Sequence, residues 1–186
     1  MAVREQVRVG GRSARIQTAV HDAARALTAE VGREALTVPL IAGRAGVTPS
    51  TIYRRWGDLA ELLADVAVEH LRPIGAPADT GAVDTDLEVW VEQYMEEMSS
   101  DVGRALLRDI LGNAPEAGQS SQCCSFTGEQ LQAIADRAAA RGERSFDVDS
   151  ALDQVIAPII YRILFVGGPV TLDYCHGLLA RFWRDR

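Results

Sequence analysis

The 186-residue sequence predicts an all-α fold in two parts, and three observations carry that reading. Apolar residues recur at three- and four-residue steps nearly throughout, and no stretch sustains the period-two alternation of a half-buried strand. Pro and Gly break the pattern at length only from Pro73 to Gly81. Net charge separates the same parts: residues 1–57 hold 9 Arg against 4 acids, about +5, while the remainder carries −12. A basic head on an acidic body suits a small domain that meets a polyanion.

The elements follow in order. Ile16, Val20, Ala23, Leu27 and Val31 form one stripe, predicting a first helix over 13–30 that Gly32 ends. Thr37 is placed to cap a second helix over 38–45, with Pro39 tolerated in its first turn and Gly46 stopping it. Thr48 is placed to cap a third helix from Pro49 to about Trp56. Asp58 and Glu61 have the spacing of a capping box for a fourth, packed through Leu59, Leu62, Leu63, Val66 and Ala67. Residues 1–57 are therefore read as one domain, 58–71 as a connecting helix, 72–83 as a linker and 84–186 as a second domain.

In the second domain, Leu87, Val91, Tyr94 and Met98 mark a fifth helix from about Asp84, and Leu106, Leu107, Ile110 and Leu111 a sixth ending at Gly112. A loop is expected next, containing Cys123 and Cys124, before a seventh helix over 129–140. Val148, Leu152, Val155, Ile156, Ile159, Ile160, Ile163 and Leu164 are apolar over too wide an arc for a helix with one buried side. Pro158 is expected to kink that eighth helix. Thr171 starts a ninth, with Leu172, Cys175, Leu178, Leu179 and Phe182 on one stripe. Two such helices from each of two chains would form a four-helix dimer interface, and Leu152, Ile156, Ile163, Leu178 and Phe182 are the residues expected there.

The connection Ala45-Gly46-Val47-Thr48 between helices two and three has the length and central Gly of a helix-turn-helix. Ala42 is small where the helices cross, and Val47 and Ile52 close a miniature core. The third helix is left to expose Ser50, Thr51, Tyr53, Arg54 and Arg55, hydroxyls and guanidinium groups suited to base edges and phosphates of a major groove.

These residues resemble the TetR family of transcriptional regulators: Leu36-Thr37-Val38, Ile41-Ala42, Ala45-Gly46-Val47-Thr48, Thr51-Ile52-Tyr53-Arg54-Arg55-Trp56 and Leu62-Leu63 follow its register through helices one to four. The resemblance implies that Thr48 and Tyr53 contact phosphates, with Ser50, Thr51 and Arg54 nearest the base edges. Where the family often carries a phosphate-gripping Lys near the start of helix four, this chain has Leu59. The N-terminal arm, with Arg4, Arg8, Arg12 and Arg15, is a source of replacement phosphate or minor-groove contacts. Further on, Arg141-Gly142-Glu143, Asp147, Tyr161-Arg162 and Gly168-Pro169-Val170 resemble one branch of the family, which implies dimerisation through helices eight and nine. The family also implies an effector pocket within helices four to eight. Trp90, Tyr94, Met95, Met98, Phe126 and Tyr161 are available to line it, for a moderately large, mostly hydrophobic ligand.

Other chemistries find little support. There is no Gly-rich phosphate loop, nucleophile elbow or paired His at metal spacing, so neither an enzyme nor a cofactor or metal is expected. His21, His70 and His176 stand on different helices. No apolar run reaches the roughly 20 residues of a membrane span, and no signal peptide is apparent, so a cytoplasmic protein is expected. Its three cysteines read as reduced thiols, with a thiol sensor or soft-metal site at Cys123 and Cys124 as the alternative. The expected function is repression from a palindromic DNA operator by a homodimer that a small effector releases. A transcriptional activator, or a ligand-binding dimer without sequence-specific DNA binding, are the alternatives.

Overall fold

A computed structural model describes residues 11–112 and 119–184, leaving aside the side chains of Arg12 and of residues 119–123. All regular structure in the described residues is helical. The chain divides into two compact units after Val66, within one helix.

The first unit contains α1 (Gly11–Val31), a single 3-10 turn (Arg33–Ala35), α2 (Val38–Ala45), α3 (Pro49–Trp56) and the Leu59–Val66 portion of α4 (Leu59–His70). Its core joins Val20, Ala24, Ile41, Ala42, Ile52 and Leu62, all fully buried. Val20 and Leu62 come from the predicted apolar stripes, because only that face of each short helix can leave water. Caps fix the ends: Thr37 Oγ1 accepts from the Leu40 N–H at 3.3 Å, and Asp58 Oδ1 from the Glu61 N–H at 2.8 Å. At Thr48 the position is that of the N-cap, but the side chain bonds no backbone N–H.

The second unit holds the rest of α4, then α5 (Val83–Ser99), α6 (Asp101–Leu111), α7 (Gln119–Ala140), α8 (Val148–Ala151), α9 (Ala157–Phe165) and α10 (Leu172–Arg184). Helix α5 lies at its centre, packed on α6, α7, α9 and α10. Leu87, Val91, Leu131, Ile134, Ile159 and Phe182 are at most 1% exposed in the shared core. The start of α5 has no side-chain cap of its own; instead Glu143 Oε2 accepts from the Val83 N–H at 2.7 Å. Fully buried Asp86 accepts from Thr80 N–H at 2.6 Å, Thr80 Oγ1 at 2.7 Å and an Arg141 guanidinium nitrogen at 3.0 Å. Burial alone would raise its pKa, but the Thr80 and Arg141 bonds hold the carboxyl below its usual range.

One expectation needs correction. The loop placed before residue 129 is instead the first half of α7, so Cys124 is an exposed helical residue; the Cys123 side chain lies outside the described residues. The Ser, Thr, Cys and Gly of 120–128 are poor helix formers without an apolar period, and tertiary packing overrides them: Phe126 sits against Ala67, Val68 and Ile110. Around Pro158, a five-residue π turn (Leu152–Ile156) joins α8 to α9. A regular α-helix would drive the Pro158 ring against the carbonyl four residues back; widening the preceding turn, with the Ala157 N–H reaching Leu152 O, relieves it.

The end of α5 and the start of α6 approach closely: a Cβ built on Gly103 falls 2.1 Å from the Glu97 carbonyl oxygen. Gly103→Ala is therefore expected to destabilise the chain by about 1 to 3 kcal/mol, read as a lower urea midpoint at unchanged slope. Unaltered stability would show that the two helices can part without cost.

Candidate functional site

Gly46 ends α2 in the left-handed region, with φ 68° and ψ 30°, and the Val47 N–H then bonds Ala42 O at 3.0 Å. An L side chain there would be strained, so glycine sets the angle at which the chain turns into α3. Helix α3 buries only Ile52 and Trp56. Its remaining face is open: Ser50, Tyr53, Arg54 and Arg55 are exposed and Thr51 is half-buried. The Thr48 hydroxyl, free of capping duty, lies 2.9 Å from that of Ser50 and 3.0 Å from that of Thr51. Three hydroxyls thus cluster at the N-terminal end of α3, with Tyr53 and Arg54 one turn on.

Arg55 behaves differently from its neighbour. Its guanidinium donates to Ser13 O at 3.1 Å, Ser13 Oγ at 2.7 Å and Gln17 Oε1 at 2.5 Å, all on α1, and lies over the Trp56 ring at 5.0 Å. It fastens α3 to α1. Arg15 is exposed on the first turns of α1, where its Nε donates to Gly11 O at 2.8 Å. The Arg12 side chain, like Arg4 and Arg8, lies outside the described residues. Leu59 is half-buried against the core of this unit.

The same junction contains a group that no sequence pattern singled out. A single oxygen of Asp65, Oδ2, lies 2.9 Å from Nε2 of buried His21 and accepts from Trp56 Nε1 at 2.7 Å and Gln17 Nε2 at 3.3 Å. Helices α1, α3 and α4 meet on this carboxylate. Burial pushes its pKa upward, but bonds from His21 and Trp56 outweigh that and hold it below the ordinary value of 3.8. A signal existed: Asp65 and His21 both interrupt apolar stripes.

In the second unit, a cleft of about 320 Å³ opens between α5, α7 and the 71–78 segment. Trp90, Tyr94, Met98 and Phe126, expected around a pocket, come together here. Trp90 and Tyr94 stack at 5.2 Å with 19° between their planes. Arg72 lies over the Phe126 ring at 5.1 Å, and Gln130 donates to Gly75 O at 3.2 Å, so the proline-rich segment is itself a wall. That contribution was not legible, because a segment without periodicity gives no clue to its packing. Gln93 and Glu97 add polar groups to the lining. Of the other two residues expected there, Met95 is buried in the core and Tyr161 is 60% exposed on α9 against Phe165.

The residues expected at a subunit interface are distributed unevenly. Ile156, Ile163, Leu178 and Phe182 are buried in the chain's own core, and Leu152 is half-buried. The outer face of α9 and the start of α10 carry different apolar residues: Tyr161, Phe165, Val166 and Leu172, at 60, 71, 41 and 41% exposure. The eight residues of the wide apolar arc, from Val148 to Leu164, all belong to or pack against the chain's own core, so the second covered face expected for them is filled from within the chain.

Comparison with known proteins adds a consistent picture. Residues 20–66 match the family model for bacterial regulatory proteins of the tetR family, and residues 77–182 the model for a tetracyclin repressor-like C-terminal domain. The HTH-type transcriptional regulator AqdR of Rhodococcus erythropolis is 29% identical over 167 residues, covering 89% of this chain and 77% of the relative. The uncharacterised HTH-type transcriptional regulator YdeS of Bacillus subtilis is 27% identical over 177 residues, covering 89% and 87%. Among solved structures, Thermus thermophilus FadR, a TetR-family repressor in complex with lauroyl-CoA, superposes with a TM-score of 0.67 at 14% identity, over 90% of this chain and 93% of that one.

The Asp65 junction predicts a pH dependence of stability. A carboxylate whose folded pKa is depressed contributes stability that is complete above the unfolded value, near 3.8, and lost as pH falls through the folded value. Asp65→Asn is expected to cost about 2 kcal/mol at neutral pH, as a charge-assisted hydrogen-bond group is lost. Its unfolding free energy should also fall less steeply than that of the parent below pH 3.8. Parallel pH profiles for the two chains would place the acid sensitivity elsewhere.

Proposed function

This chain belongs to the TetR family of DNA-binding transcriptional regulators, and from that premise we propose that it acts as a homodimeric repressor on a palindromic operator, released by a small effector. The observation that carries the reading is the division of labour on α3: Ile52 and Trp56 are buried, Arg55 is tied to α1, and Ser50, Thr51, Tyr53 and Arg54 remain outward. A helix held this firmly can present its outer face to a major groove with little ordering cost, leaving its polar groups for DNA. In this reading Thr48 and Tyr53 meet phosphates, Ser50, Thr51 and Arg54 approach base edges, and Arg12 and Arg15 attend the flanking backbone. Arg55 acts as a positioning residue.

Palindrome recognition requires two such helices about 34 to 36 Å apart, hence two chains. The exposed apolar stripe of Tyr161 and Phe165, continued by Val166 and Leu172, supports pairing through α9 and α10, since monomers rarely expose contiguous apolar surface of this kind. Repression is relieved when an effector binds the form with displaced reading helices better than the DNA-competent form. The cleft supports an effector with a flat apolar portion for the Trp90–Tyr94 stack and hydrogen-bonding groups for Gln93, Glu97 and Gln130.

Selection of bound duplexes from a random library tests this. The purified chain should recover a palindrome, and Arg54→Ala should cost about 1 to 3 kcal/mol and relax specificity at one symmetric pair of positions. Uniform weakening across sequences would reassign Arg54 to phosphate; no enriched motif from a folded dimer would sink the repressor reading. Separately, Phe165→Glu should shift sedimentation from dimer to monomer and abolish palindrome binding. A persistent dimer would move the interface off α9.

A further inference from the structure

Glu88 and Glu92 stand four residues apart on α5 and therefore share a face, one turn above the other. Against them α10 places His176, whose Nε2 lies 2.6 Å from Glu92 Oε1 and 3.4 Å from Glu88 Oε1. All three are partly sheltered, at 44, 33 and 40% side-chain exposure in that order. Each offers one donor atom, and the three atoms lie within 4.8 Å of one another; no other such trio converges among the described residues.

Like charges at this helical spacing repel, and among the described residues neither carboxylate pairs with an arginine although the chain has 19 of them. The imidazole is the cation that faces them. From this geometry we infer a metal site: Glu88, Glu92 and His176 bind one divalent first-row transition metal ion, as Zn²⁺, joining α5 to α10.

The donor set selects the class of ion. One imidazole nitrogen and two carboxylate oxygens without thiolate suit Zn²⁺, Co²⁺, Ni²⁺ or Mn²⁺, whereas Ca²⁺ and Mg²⁺ want oxygen ligands in larger number. Metal bonds of about 2.0 to 2.2 Å put neighbouring donors roughly 3 Å or more apart, so the short His176–Glu92 contact opens slightly as the ion replaces the shared proton. Water completes the coordination. The ion would hold the outer face of α5 while the Trp90–Tyr94 face of the same helix lines the cleft.

Calorimetric titration of the chelator-treated full chain with Zn²⁺ tests the inference, with Ca²⁺ as control. One Zn²⁺ per chain is expected, with a higher melting temperature and no response to Ca²⁺. Glu92→Gln and His176→Gln should each weaken Zn²⁺ binding about tenfold or more, since even outer partners of metal ligands change affinity that much. Glu88→Gln, which removes the longer of the two contacts to His176, serves if either variant unfolds. Co²⁺ gives a spectroscopic check: its bound form should lack the thiolate charge-transfer band that Cys123 or Cys124 would produce. Absence of Zn²⁺ binding, binding undiminished by these substitutions, or a thiolate band would each overturn the site.

Discussion

Asp65 Oδ2 gathers hydrogen bonds from three side chains on two helices while belonging to a third, and the reading head is organised around that carboxylate. Helix α3 is only eight residues long, too short to persist alone, and buries just two side chains. Its position is set from outside. Trp56 is held to Asp65 through the indole nitrogen, and Arg55 beside it reaches α1. Two neighbouring residues at the end of α3 thus fix it to α4 and α1, and the exposed turn before them inherits the alignment. Removing one partner leaves buried polar groups without bonds, which costs more than the bond itself contributes.

Helix α5 has the corresponding place in the second unit, because each of its faces has a distinct neighbour. Leu87 and Val91 enter the shared core; Trp90 and Tyr94 face the cleft; Glu88 and Glu92 meet His176. A 3.6-residue period gives a seventeen-residue helix room for all three. Its beginning depends on residues far along the chain, with Glu143 satisfying the Val83 N–H and Arg141 meeting buried Asp86. The Arg141-Gly142-Glu143 segment therefore ties the end of α7 to the start of α5, a structural role in a stretch that regular periodicity does not reach.

The first unit was almost fully legible. Helices α2 and α3 follow the Thr37, Gly46 and Pro49 signals, since caps and breakers act within a few residues and need no knowledge of the rest of the chain. The same reasoning failed for the first half of α7, where local preference opposes the helix and contacts of Phe126 prevail. It also could not separate Arg54 from Arg55. Adjacent arginines on one helix look alike until the position of α1 decides which of them is engaged.

The sequence by itself determined the helical class, the helix-turn-helix and the order of elements, because periodicity and capping are short-range physics. Tertiary structure alone decided which face of each helix meets which neighbour. The inward arc of α9 holds Ile159 and Ile163, and the outward one Tyr161 and Phe165, a choice hydrophobicity cannot make when both arcs are apolar. It also decided that Asp65 meets His21 across 44 residues and that Glu92 meets His176 across 84. Those pairings depend on how helices pack, and packing is settled by the shapes of all the side chains together rather than by any local pattern.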